Sequence, residues 1–182
     1  MIFKKHSLPF LFGIALTGCA VFIYPQRSFV LIALMLFLPI LDRDWHLTTP
    51  LSYKFKRASL YVCVGSLLIL TTLNTDYAII ALSTIFLTAL PEEWFFRGYF
   101  MTQINKAGLG PHQSNLITSL LFTLLHLPTQ GLIGLSVFLP SLIYGFIYQK
   151  TNDIIFIILL HALSNLIFYI YIIEALNKIL IQ

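Results

Sequence analysis

Seven apolar stretches, each followed by a short polar segment, dominate the 182-residue sequence. A helix needs about 20 mostly apolar residues to cross the hydrocarbon core of a bilayer, with about 17 to 25 tolerated. The second and fifth stretches are the shortest of the set. We therefore predict an all-α, polytopic transmembrane bundle of about seven spanning or partly spanning helices, in a single domain over residues 1–182. The stretches are Leu8 to Tyr24, Ser28 to Leu41, Ala58 to Leu73, Tyr77 to Phe100, Ser114 to Leu127, Leu132 to Tyr148 and Ile154 to Ile173.

The composition excludes a water-soluble protein. Hydrophobic residues make up 58% of the chain and charged residues 10%, against about 45–50% and about 25% in soluble domains. The net charge is +4, but no long basic run is present, which excludes nucleic acid as a partner and leaves the lipid bilayer as the surroundings. Cys19 and Cys63 both lie in apolar stretches, so neither a disulfide framework nor a thiolate metal site is expected.

Basic residues predict the orientation, because positively charged loops tend to stay on the cytoplasmic side of a membrane. With the N-terminus inside, Arg27 and Lys178 are external, whereas eight basic residues are cytoplasmic. We expect the cytoplasmic membrane of a bacterium, since the many Ile residues and the preference for Lys over Arg fit a genome of low GC content. Although Leu16 to Cys19 resembles a lipoprotein cleavage site, the apolar run continues beyond it, so we expect the first helix to be retained. The eight residues are Lys4, Lys5, Arg43, Lys54, Lys56, Arg57, Lys106 and Lys150.

Two adjacent carboxylates lie deep in the fourth apolar stretch. Ionisable groups inside membrane helices usually face the protein interior and mark function. Glu93 and Arg97 are at i,i+4 spacing and can pair, whereas Glu92 points about 100° away and has no partner on its own helix. A desolvated, unpaired carboxylate can exchange a proton with water near neutrality, as a general base must.

Two further polar clusters lie in the fifth and seventh stretches. His126 is one helical turn after Phe122, and alone it is more typical of a core histidine than of a catalyst. His161 and Asn165 are at i,i+4 spacing, so both can donate hydrogen bonds to one oxygen, although they can equally join two helices. At about 1.5 Å per residue, Glu92, His126 and His161 all lie at intermediate depth, which allows a shared cavity.

These clusters, in this order, resemble the three motifs of the CPBP family of intramembrane proteases. That family includes CAAX prenyl endopeptidases, bacteriocin-processing enzymes and bacterial sorting proteases, and its motifs are EExxxR, FxxxH and HxxxN. The sequence matches each defining position with Glu92-Glu93-Trp94-Phe95-Phe96-Arg97, Phe122 to His126, and His161 to Asn165. The small size favours a bacterial processing or sorting-type member, with a motif-bearing core at about 77–173.

The resemblance implies a protease that cleaves a membrane-anchored protein or hydrophobic peptide. In such a protease, Glu92 and His126 would activate a water molecule, and His161 and Asn165 would stabilise the oxyanion. Glu93, Arg97 and Phe122 then correspond to supporting residues. We favour a metal-free glutamic mechanism with no cofactor, because the chain has no HExxH motif. A zinc site formed by Glu92, His126 and His161 is the alternative.

Two non-proteolytic functions remain as alternatives. A binding or immunity protein of the same fold predicts that a motif residue is missing, and none is. A small transporter using the same ionisable residues predicts two related halves, and the sequence has no such symmetry. The cleaved bond and the oligomeric state are left open.

Overall fold

The structure is a computed structural model that describes residues 7–22, 25–47, 53–73 and 75–173. This part of the chain is helical, with no strand. Among the residues used to predict the first span and the orientation, Lys4, Lys5, Tyr24 and Lys178 lie outside the described residues. We number the helices α1 (Ser7–Val21), α2 (Arg27–Leu41), α3 (Tyr53–Leu73), α4 (75–106), α5 (Pro111–Thr151) and α6 (154–173).

The predicted count of seven helices is not confirmed, because the described residues form six. Helical structure continues from the predicted fifth stretch into the sixth, so that both belong to α5. Pro128 lies inside the first arm of α5, Pro111–Gln130, without ending it. The chain turns only at Gly131, whose φ of 59° is accessible to glycine at little cost. A 3₁₀ segment, Gly131–Val137, leads into the second arm, Phe138–Thr151. We call Gly131–Val137 the hairpin turn.

The two arms of α5 fold back on each other as an antiparallel hairpin. The Asn115 side chain donates a hydrogen bond to the Leu142 carbonyl at 2.9 Å, and Gln149 donates to the Pro111 carbonyl at 2.6 Å. Gly145 faces Asn115 so closely that a β-carbon there would overlap the Asn115 amide. The two arms are thus held together by close packing of their backbones at Gly145 and by hydrogen bonds inside an apolar bundle.

Helix α4 departs from α-helical geometry on both sides of the two glutamates. It is a π-helix over Thr84–Ala89, an α-helix over Leu90–Glu93 and a π-helix again over Trp94–Met101. Pro91 has no N–H to donate and its ring collides with the preceding turn of a regular helix, so a widened turn before it relieves the clash. The chain accommodates Pro91 without breaking the helix that carries the glutamates.

The protein is an integral membrane protein. Three segments are long and apolar enough to span a bilayer: Tyr77–Lys106 in α4, Pro111–Thr151 in α5 and Ile154–Tyr171 in α6. A single 41-residue helix would be about 60 Å long, twice the hydrocarbon thickness, which explains why α5 folds back. Apolar side chains cover much of the outer surface, whereas Glu93, Arg97 and His161 are buried inside.

Helices α1 and α2 pack on the second half of α4. Leu16 of α1 and Met35 of α2 share a buried cluster with Phe95 and Tyr99. The segment after α2 is held on the same helix, because Asp42 accepts hydrogen bonds from Tyr99 at 3.0 Å and from Gln103 at 2.8 Å. These contacts hold α1, α2 and the segment after α2 against the helix that carries the glutamates.

Candidate active site

One cavity of about 670 Å³ is lined by residues of all three sequence clusters. Glu92 reaches it from α4, His126 from the first arm of α5, and His161 and Asn165 from α6. Glu92 lies at the midpoint of the 30-residue segment Tyr77–Lys106, so the cavity is at intermediate depth in the bundle. The shared cavity that the sequence allows is therefore present.

His161 lies between the two adjacent carboxylates. Its Nδ1 is 2.7 Å from Oε1 of Glu93, and its Nε2 is 3.7 Å from Oε2 of Glu92. The first distance is a hydrogen bond and the second is too long for one. Because a carboxylate only accepts, Nδ1 carries the donated proton and Nε2 is the nitrogen left beside Glu92.

Glu93 is fully buried and has two partners. Arg97 contacts both of its carboxylate oxygens at 3.2 Å, in addition to the bond from His161. Arg97 also donates to Ser141 of the second α5 arm, at 2.7 Å to the hydroxyl and 3.0 Å to the carbonyl. A continuous chain of charged and polar contacts therefore joins α5, α4 and α6 beneath the cavity.

Glu92 differs from its neighbour in its ion-pair contacts. The Oε2 atoms of both glutamates are buried without a hydrogen bond, but Oε2 of Glu93 lies 3.2 Å from Arg97 Nε, whereas Oε2 of Glu92 lies 3.7 Å from His161 Nε2. The Glu92 side chain is 15% exposed, whereas that of Glu93 is 0% exposed. Two carboxylates that are adjacent in sequence thus have different environments, one within an ion-pair network and one at the cavity wall. A buried acceptor without a partner is available to a molecule that enters the cavity.

His126 is held by its own helix. Its Nδ1 lies 2.8 Å from the Phe122 carbonyl oxygen, which requires the proton on Nδ1 and leaves Nε2 as an acceptor in the neutral ring. The Phe122 ring packs against the imidazoles of His126 and His161, with centroids 4.4 Å and 6.3 Å away, and Arg97 lies 5.1 Å from its centroid. Phe122 thus contacts both histidines.

The structure also reveals residues that the sequence reasoning missed. Tyr144 stacks on His161 with centroids 5.3 Å apart, and Ser141 binds Arg97. Both lie in the second arm of α5, at i,i+3 spacing on one face, but a serine and a tyrosine in an apolar helix carry no specific signal. Gln130 and Ser136 line the cavity as well. Ser164 lines it too, although its hydroxyl donates to the Leu160 carbonyl at 2.9 Å.

The three residues considered as zinc ligands do not form a preformed metal site. Within residues 7–22, 25–47, 53–73 and 75–173, no three His, Cys, Asp or Glu side chains are grouped closely enough to hold a metal ion. Glu92 and His161 are neighbours, but His126 does not complete a ligand set with them.

Comparison with known proteins identifies the family. A family model described as type II CAAX prenyl endopeptidase, Rce1-like, matches residues 74–167, which include every motif residue. No curated protein and no solved structure matches the chain. The match covers just over half of the chain and confirms the resemblance to the CPBP proteases. This integral membrane protein belongs to the Rce1-like family of CAAX-type proteases.

Proposed function

We propose that this protein is an intramembrane endopeptidase that uses Glu92 and His126 to activate water, and His161 and Asn165 to bind the oxyanion. The observation that carries the proposal is that all four side chains line one cavity inside a membrane bundle. No helix supplies more than two of the four. Their convergence is what a hydrolytic site requires: a base and oxyanion donors around one reacting carbon.

Glu92 suits the role of general base. Its Oε2 atom makes no hydrogen bond, so it can accept one from a water molecule in the cavity, and His161 Nε2 is 3.7 Å away on the side where the oxyanion forms in this proposal. The Glu92 carboxylate takes a proton from water as the water oxygen bonds to the peptide carbonyl carbon. The carbon–nitrogen bond then breaks, and that proton passes to the leaving amine. Atoms and charge balance without a further reactant.

His126 and His161 suit different roles because their second nitrogens differ in surroundings. The Nδ1 proton of His126 is held by the Phe122 carbonyl, so Nε2 can accept a hydrogen bond from the attacking water. The Nδ1 proton of His161 is held by Glu93, so Nε2 donates to the oxyanion when the ring is the imidazolium, with Glu93 as its counter-ion. Asn165, one turn later on α6, adds an amide donor to the oxyanion.

The substrate in this proposal is a membrane-anchored protein or a hydrophobic peptide, because a site at this depth is reached from the bilayer. In this proposal the enzyme is a bacterial processing or sorting-type protease. We place the enzyme in the bacterial cytoplasmic membrane, with the N-terminus cytoplasmic. The mechanism in this proposal is metal-free.

The test measures cleavage of membrane-anchored candidate substrates by the purified full-length protein in lipid vesicles. Glu92→Gln should lower kcat by roughly 10²- to 10⁴-fold, since it removes the base and keeps the shape. Asp44→Asn, an isosteric change at an exposed acidic residue, should leave cleavage unchanged. Chelation should have no effect on the wild type; loss of cleavage on chelation would overturn the metal-free mechanism.

Equal cleavage by the wild type and by Glu92→Gln would refute the catalytic role of Glu92. If neither protein cleaves a substrate and Glu92→Gln still fully complements the cellular phenotype, a binding protein would be favoured.

A further inference from the structure

The hairpin turn of α5 forms one wall of the cavity, directly behind His126. Gly134 lies so close to the His126 backbone that a β-carbon there would be 3.0 Å from the carbonyl carbon and oxygen. Among the turn residues, Ile133, Ser136 and Val137 line the cavity. This segment is therefore in contact both with a motif residue and with the space that a substrate must occupy.

Side chains of the turn divide into two sets. Ile133 and its neighbour Leu132 are both exposed, by 70% and 83%, yet only Ile133 is a lining residue. Leu135 is likewise exposed without lining the cavity. The turn thus presents one apolar set to the cavity and another to its surroundings, which a simple lipid-facing loop would not require.

Two residues that line the cavity at this wall have polar side chains that can form hydrogen bonds with a substrate. Gln130 immediately precedes the turn and Ser136 lies near its end, and within the described part of the chain neither side chain makes a hydrogen bond. An amide side chain can both donate and accept, and a hydroxyl can do the same. These are the groups needed to pair with the N–H and C=O of an extended peptide, whose backbone must be satisfied inside a membrane.

We infer that the wall formed by Gln130 and the hairpin turn binds the substrate as an extended peptide and selects its side chains. Gln130 and Ser136 hydrogen-bond to the substrate backbone, while Ile133 and Val137 contact an apolar substrate side chain next to the scissile bond. The inference rests on the proposed protease function and names the substrate chemistry: an unfolded, uncharged apolar segment. The described lining residues include the Glu92 carboxylate but no Lys or Arg, so an acidic substrate side chain would find no cation at this wall apart from the two histidines of the site.

The first experiment measures binding without cleavage. The background carries Glu92→Gln, Cys19→Ala and Cys63→Ala, which removes the base and both native cysteines. In this background, Ile133→Cys and Leu132→Cys are each mixed with an apolar peptide that carries one cysteine, and copper phenanthroline is added to form disulfide cross-links. We expect strong cross-linking at position 133 and weak cross-linking at position 132. Equal yields at both positions, or a higher yield at 132, would refute the inference. The result is independent of whether the protein cleaves the peptide.

A second experiment measures selectivity. For peptides that differ only at the residue beside the scissile bond, Ile133→Trp should lower kcat/KM for large apolar side chains more than for Ala, whereas Leu132→Trp should preserve the wild-type ratio. Gln130→Ala should raise KM by roughly 2- to 12-fold, as expected for one lost hydrogen bond, with kcat retained. An unchanged selectivity ratio in Ile133→Trp would overturn the side-chain contact. Absence of cleavage by the wild type would instead count against the protease proposal, and the cross-linking result would still decide the binding wall.

Discussion

At the scale of single residues, the site depends on the different surroundings of two neighbouring glutamates. Glu93 is fully buried, with Arg97 and His161 as close partners, whereas Glu92 Oε2 makes no hydrogen bond and lies 3.7 Å from His161. Helical geometry turns adjacent side chains about 100° apart, so one carboxylate faces the interior network and the other the cavity. In the proposed mechanism, the same chemical group therefore positions His161 at one residue and acts on water at the next.

Glu93 has two separable effects, one on stability and one on His161. Glu93→Gln should destabilise the protein by about 3–5 kcal/mol, because it leaves the Arg97 charge buried without its counter-ion. Replacing both residues, in Glu93→Met with Arg97→Met, should recover much of that stability, since apolar replacements of a whole buried pair are often tolerated. Activity should stay low in the double variant because His161 has lost the acceptor for its Nδ1 proton.

Thermal unfolding and kcat measured on the same samples separate these effects. A double variant that regained both stability and activity would show that Glu93 has only a structural role. Glu93→Asp provides a rescue variant, since it keeps the charge with a shorter reach.

Asn165 is expected to contribute to the transition state rather than to substrate affinity. Asn165→Leu keeps the approximate side-chain volume and removes the amide donor, so kcat should fall roughly 10²- to 10³-fold. Asn105→Leu, at an exposed position near the end of α4, is the matched control. Steady-state kinetics should show little change in KM for Asn165→Leu; a rise in KM at constant kcat would contradict the oxyanion role.

At the scale of secondary-structure elements, the geometry of the site depends on breaks in regular helices. The π-helical turns around Pro91 and the 3₁₀ turn after Gly131 both lie next to motif residues. The gap between the fifth and sixth apolar stretches, after Leu127 and before Leu132, predicted a break near the right place, but it did not show that helical structure would continue and fold back. That outcome depends on the close contact of Gly145 with Asn115, which only the tertiary structure specifies.

Gly134 is a positioning residue for His126. Gly134→Ala would bring a β-carbon to 3.0 Å from the His126 carbonyl, so the histidine backbone must move by a few tenths of an ångström. We expect kcat to fall on the order of tenfold, since a 1 Å misplacement at an active site can cost about 10²-fold. Gly18→Ala is the control, because a β-carbon there meets nothing within 4 Å. Equal kcat values for the two variants would argue against this contact.

At the scale of the whole molecule, the sequence predicted the meeting of the motifs better than it predicted the network beneath them. Ionisable groups in membrane helices face the interior, so Glu92, His126 and His161 had few alternatives to a common cavity. The bond between Glu93 and His161 and the contacts of Arg97 with Ser141 could not be predicted, because spacing along one helix carries no information about a partner on another. The predicted number of helices was not confirmed for the same reason, since this number depends on how the two arms of α5 pack against each other.

Basic residues collect at one end of the bundle. Asp42, which precedes Arg43, binds Gln103 near the end of α4, where Lys106 lies. Gln149, which precedes Lys150, binds Pro111 at the start of α5. Arg43, which follows α2, therefore lies at the same end of the molecule as Lys106 of α4 and Lys150 of α5. This is the end that the proposed orientation places in the cytoplasm.

Cysteine accessibility tests this orientation. In a background with Cys19→Ala and Cys63→Ala, Lys150→Cys should react with a membrane-impermeant maleimide only after the cells are permeabilised. Gln26→Cys, in the exposed turn between α1 and α2, should react in intact cells. The two positions serve as controls for each other, because permeabilisation must reveal the first while leaving the second unchanged. Labelling of Lys150→Cys in intact cells, with Gln26→Cys protected, would show that the orientation is opposite to the predicted one. The end of the bundle that carries Arg43, Lys106 and Lys150 would then face outward.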